Sequence, residues 1–180
     1  MFQEILELDI VLELEIKSTH IRDLALKVNS SPATVMRKLN NLKNNNIVDL
    51  INEGKNDRYF LKNTFEAQNY LLMGQIYKLN KFIFENPKLK LMLFEIKNIL
   101  DGELAILFGS YVKGLQNKNS DIDLFIETNN ENLKRKIEMI NSNLNVKIGT
   151  FNKNSFLGKE IIKNKIIISG FEIYYGAIKE

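Results

Sequence analysis

The 180 residues carry 25 Lys and Arg against 22 Asp and Glu, a net charge of +3, with 44% hydrophobic residues, one histidine and no cysteine. That hydrophobic content supports one large or two small cores and argues against global disorder. Disulfides and thiolate metal sites are excluded, a histidine-based metal centre or triad is disfavoured, no apolar run approaches the ~20 residues of a bilayer span, and an N-terminus without a basic leader points to a cytoplasmic protein with no membrane partner.

Apolar residues from Phe2 to Ile16 are spaced for a helix whose solvated side carries Glu4, Glu7, Asp9, Glu13 and Glu15. A second helix is expected at about Thr19 to Val28, with Ile21, Leu24, Ala25 and Val28 on one face. His20 reads as a capping or surface residue. After an Asn29-Ser30 turn, Ser31-Pro32 reads as an N-cap followed by proline at the first helical position. This opens a third helix, Pro32 to Asn44, that buries Val35, Leu39 and Leu42 and exposes Thr34, Arg37, Lys38 and Asn41. Two strands, Ile47 to Ile51 and Arg58 to Leu61, read as a hairpin around the glycine-containing loop 52–57. Thr64 to Glu85 is a long helix with so wide an apolar surface that it needs a partner, and Asn86-Pro87 stops it.

Beyond a helix at Leu89 to Leu100, strands and helices alternate. The expected elements are strand Leu104 to Phe108, strand Asp121 to Glu127, helix Glu131 to Asn141, strand Leu144 to Phe151, helix Ser155 to Asn164 and strand Phe171 to Tyr175. The class is α+β, divided into residues 1–62, a helical linker at 63–87 and a second domain at 88–180.

The stretch LFGSYVKGLQNKNSDIDLFIE carries the chemistry. Asp121 and Asp123 are two apart in an apolar run, so in a strand both carboxylates leave the same face. Their repulsion calls for a cation between them, and Mg²⁺ fits because it takes a few carboxylate oxygens together with substrate phosphates. Gly109-Ser110 is a glycine turn expected to open a short helix, a device for binding phosphate, and Lys113 in its first turn is either a phosphate contact or a solvated residue. Metal-binding carboxylates beside a phosphate cradle suggest phosphoryl or nucleotidyl transfer.

Gly-Ser, ten residues, then Asp-x-Asp resembles the minimal nucleotidyltransferases of the DNA polymerase beta superfamily, over residues 88 to 176. The resemblance implies a mixed sheet flanked by helices. It also implies that Gly109 and Ser110 hold the tail of a nucleoside triphosphate, that Asp121 and Asp123 bind Mg²⁺, and that NMP passes to a hydroxyl. A toxin-like protein partner and a small molecule are both acceptors the resemblance implies. The family's third carboxylate position falls by alignment on Lys147 in LNVKIGTF, and no Asp or Glu occurs between Glu138 and Glu160. Three readings of Lys147 stand. It pairs with an aspartate in a degenerate site, it contacts phosphate, or it points away.

The stretch IRDLALKVNSSPATVMRKLNNLKNNNIVDLINEGKNDRYFL resembles the winged helix-turn-helix of prokaryotic regulators. That resemblance implies double-stranded DNA as partner, with Thr34, Arg37 and Lys38 on the recognition helix and Lys55 and Arg58 on the wing. The N-terminal domain has no overall basic excess, and a homodimer that doubles the phosphate contacts would fit. Two functions follow: a DNA-binding nucleotidyltransferase, or a regulator whose C-terminal domain senses nucleotide or a partner without turnover.

Overall fold

The computed structural model describes residues 2–54, 56–117 and 120–179. They form two compact units, residues 1–77 and 78–180, and the division falls inside one long helix. Among the described residues no helix is long and apolar enough to cross a membrane.

The first unit runs α1 (Leu6–Ile16), β1 (Thr19–His20), α2 (Ile21–Lys27), α3 (Pro32–Asn44), β2 (Val48–Glu53), β3 (Asn56–Leu61), then α4 (Phe65–Glu85), which continues past the division. The three strands pair antiparallel in the order β1-β3-β2. The expected helix at Thr19 begins two residues late, because Thr19 and His20 pair with Tyr59 and Arg58 of β3. His20 occupies the N-cap position of α2, and its Nδ1 lies 3.1 Å from the Asp57 carbonyl. The hairpin is tighter than expected, with pairing that extends to Glu53 opposite Asn56 beside Gly54 at φ +67°.

Helix α3 starts where the sequence places it. Ser31 Oγ accepts the Thr34 N–H at 3.1 Å with Pro32 in the first turn, and Val35, Leu39 and Leu42 are buried. Each such side chain contributes about 2 kcal/mol on leaving water. Lys38 turns to α1 and donates to Glu7 Oε1 at 2.5 Å. Burial pushes the Glu7 carboxyl up, but the Lys38 hydrogen bond, its own backbone N–H and the Lys38 and Arg37 charges outweigh it, so Glu7 titrates below the ordinary carboxylate value. A depressed folded-state value gives stability that is full above the unfolded value and lost as pH falls through the folded one. Lys38→Met is therefore expected to destabilise by about 1 kcal/mol at neutral pH and by much less at about pH 2–3, as read by thermal melts at each pH.

The second unit takes in the C-terminal end of α4, a 3-10 turn at Pro87–Leu89, α5 (Lys90–Ile99), β4 (Ala105–Phe108), β5 (Ile122–Glu127), α6 (Glu131–Glu138), β6 (Leu144–Gly149), α7 (Phe156–Lys163), β7 (Ile166–Ser169) and α8 (Phe171–Lys179). The sheet order is β6-β5-β4-β7, with β5 and β6 parallel and the other pairs antiparallel. One face carries Leu107, Leu124, Val146 and Ile168 into a cluster with Met92 and Ile96 of α5 and Ile137 of α6. The other carries Ile106, Phe108, Phe125 and Ile167 against Ile161 of α7 and Tyr174 of α8. Burial on both faces explains why β4 reads as an unbroken apolar run.

The expected strand Phe171 to Tyr175 is a helix, and the last strand is Ile166–Ser169. Gly170 separates them at φ +74°, and a Cβ there would stand 2.5 Å from the Leu104 Cα. The turn after β7 therefore packs directly on backbone, and the chain reverses into α8 with Tyr174 fully buried. The Gly109-Ser110 turn does not open a helix either. It makes one turn, Lys113 N–H to Gly109 O at 3.2 Å, and is closed by Leu115 N–H to Ser110 O at 3.0 Å with Gly114 at φ +68°. A left-handed glycine with a six-to-one bond is a helix-stopping motif, so the segment cannot propagate.

Candidate active site

Strand β4 ends at Phe108, which pairs with Asp123 of β5, which pairs in turn with Asn145 of β6. Side chains at one level of a sheet share a face, so Phe108, Asp123 and Asn145 form a row at the end of β4 where Gly109 begins. Asp123 is half-buried, and Asp121 is exposed just ahead of β5. Asn145 Nδ2 donates to Asp123 Oδ1 at 2.8 Å. The other oxygen faces the turn: a Cβ on Gly109, at φ +77°, would lie 2.3 Å from Asp123 Oδ2. Glycine is thus required twice, by the left-handed conformation and by the carboxylate packed against it.

The N–H groups of Ser110, Tyr111 and Val112 donate to no partner among the described residues. A one-turn loop with unmet donors beside carboxylates is suited to an anion carried with a cation. Lys113, expected near phosphate, holds Glu160 of α7 at 2.8 Å with both side chains about one-third exposed, which ties the turn to the second helical layer.

Lys147 does not pair with Asp121 or Asp123 among the described residues. It is exposed at the level of Phe125, on the face that carries Asn145, and its Nζ lies 5.2 Å from the centre of the Phe108 ring. Asn145 is the side chain that touches Asp123, and sequence reasoning missed it. Its alternation with Lys147 along Leu144–Gly149 is visible in the sequence, but the register that brings it to Asp123 is not.

Among the described residues no group of three His, Cys, Asp or Glu side chains converges as a metal site. The two aspartates still supply hard anionic oxygens, and Mg²⁺ commonly takes one or two carboxylates and completes its shell with phosphate and water. The donor set fits that ion together with a phosphorylated ligand.

Residues 89–169 match the family model of the nucleotidyltransferase domain. The matched segment runs from the end of the 3-10 turn to the last residue of β7, so it covers the whole sheet, the glycine turn and both aspartates. The mixed sheet between helices fits a nucleotidyltransferase fold, and the match brings with it that family's general potential for NMP transfer. No curated protein matches the chain.

The residues singled out for DNA divide differently. Thr34 is drawn into the α3 cap, its Oγ1 2.8 Å from Ser31 Oγ. Lys38 is held by Glu7. Arg58 forks onto Glu53 with Nε and one terminal nitrogen at 2.7 and 2.9 Å. Lys55 lies outside the described residues. Arg37 is exposed and makes no ion pair among the described residues.

Proposed function

We propose that the C-terminal unit binds a Mg²⁺–nucleoside triphosphate and transfers its nucleoside monophosphate to a hydroxyl acceptor. The observation that carries this reading is the glycine turn, with three unmet N–H groups, packed against the Asp123 carboxylate. Those N–H groups and the Ser110 hydroxyl hold phosphate oxygens, and Asp121 and Asp123 hold the ion. Mg²⁺, when bound, neutralises charge on the phosphates. The acceptor oxygen bonds to the α-phosphorus, pyrophosphate leaves, and the hydroxyl proton passes to solvent. A hydroxyl on a toxin-like protein or on a small molecule satisfies this chemistry. The test is transfer of label from each α-labelled nucleoside triphosphate in the presence of Mg²⁺. A protein that neither transfers label nor retains nucleotide defeats the reading.

A second reading rests on Asn145. An amide beside Asp123 takes no proton, so no carboxylate at that position activates the acceptor. On this reading the domain binds nucleotide without turnover and reports to the N-terminal unit. The discriminating variant is Asn145→Asp. Transfer gained only by this variant supports the sensor, and transfer by the wild type excludes it.

For the first unit we propose a winged helix-turn-helix, cytoplasmic and DNA-binding, with α3 as the reading helix. The order of three helices and a β1-β3-β2 sheet supports it. Residues 1–77 hold nine Lys and Arg against ten Asp and Glu, so the phosphate attraction of one copy is small and a homodimer is expected. In a gel shift, Arg37→Ala should weaken binding, whereas Lys38→Met, whose cation already serves Glu7, should change it little. Equal losses would argue against α3 as the reading element.

A further inference from the structure

We propose that the nucleotide site takes one divalent cation, and that the Lys147 ammonium supplies the second positive charge that faces the phosphates. The inference rests on the nucleotide-binding reading above. Its basis is a count of charges on one face of the sheet. Asp121 and Asp123 bring two negative charges. The β6 residue beside Asp123 is Asn145, neutral, with its amide engaged by Asp123 Oδ1. The next β6 residue on that face is Lys147. One Mg²⁺ draws fully on the two aspartates and the phosphates. A second dication a few ångströms away is repelled by the first and needs a protein carboxylate of its own to be held there. Among the described residues no third carboxylate converges there.

Lys147 is placed to fill the gap. Strand order puts β5 between Lys147 and Phe108, yet the ammonium reaches the Phe108 ring. The side chain therefore crosses β5 toward the row that holds Asp123 and ends over the residue that precedes Gly109. An aromatic face attracts an ammonium without neutralising it, so the charge stays available to an anion. Two further cations among the described residues, Lys113 and Lys165, are engaged elsewhere. Lys113 holds Glu160, and Lys165 is buried with its Nζ 4.9 Å from the Tyr174 ring.

The test titrates Mn²⁺ into the full chain with a stoichiometric, non-hydrolysable nucleoside triphosphate analogue, and counts bound Mn²⁺ from loss of the free-ion paramagnetic resonance signal. One ion per chain is expected. Lys147→Met should keep that count and weaken analogue binding about tenfold, the size of a lost charge-assisted contact. Two ions per wild-type chain, or unchanged analogue affinity in Lys147→Met, overturns the proposal. A wild type that binds no analogue removes instead the nucleotide site on which it rests, so the two failures are distinct.

Discussion

Asp123→Asn should reduce nucleotidyl transfer about a thousandfold or more, which corresponds to about 4 kcal/mol of barrier. The substitution keeps the shape of the side chain and an oxygen able to accept from Asn145 Nδ2, so the row Phe108–Asp123–Asn145 survives and the melting temperature should stay close to that of the wild type. What disappears is one of the two carboxylates that, among the described residues, stand at the turn to hold Mg²⁺ on the proposed reading. The remaining acid, Asp121, is exposed and competes with water for the ion. Label transfer and Mn²⁺ binding, measured beside a melting curve, separate the effect from misfolding. Transfer within tenfold of wild type would rule out the proposed role of Asp123 as a metal ligand.

The elements that were legible in the sequence are those whose cause is local. Ser31-Pro32 opens α3 because the cap and the proline act within four residues, and Val35, Leu39 and Leu42 follow from helical spacing. What misled is decided elsewhere in the chain. FEIYY is rich in residues that favour strands, yet Gly170 packs on Leu104 and reverses the chain, so the segment becomes a helix around Tyr174. Thr19 and His20 are extended only because β3, nearly forty residues later, pairs with them. The site divides in the same way. Gly109, Ser110, Asp121 and Asp123 were visible as a spacing. Periodicity exposes Lys38 on α3 but does not reveal Glu7 beside it, and alternation puts Lys147 and Asn145 on one face without saying which of them meets Asp123. Register and tertiary ion pairing carry that information, and neither is written in a local pattern.

Gly109→Ala should reduce nucleotide binding as strongly as loss of Asp123, and should destabilise the fold by about 2–3 kcal/mol. Two penalties combine. A non-glycine residue in the left-handed region costs about 1–2 kcal/mol. The new Cβ would also stand 2.3 Å from Asp123 Oδ2, 3.1 Å from its Cγ and 3.3 Å from its Cβ. A carboxylate on so short a side chain has little room to yield, so it must rotate away, which breaks the Asn145 bond and turns the carboxylate oxygens from the turn. Gly114→Ala isolates the first penalty. Gly114 also lies in the left-handed region, at φ +68°, but nothing stands within 4 Å of an added Cβ. It should lose about 1 kcal/mol of stability and retain nucleotide. The comparison requires only melting curves and analogue binding on the two variants. If Gly109→Ala binds nucleotide as well as Gly114→Ala does, the contact between the turn and Asp123 is packing alone, and the turn loses its place in the site.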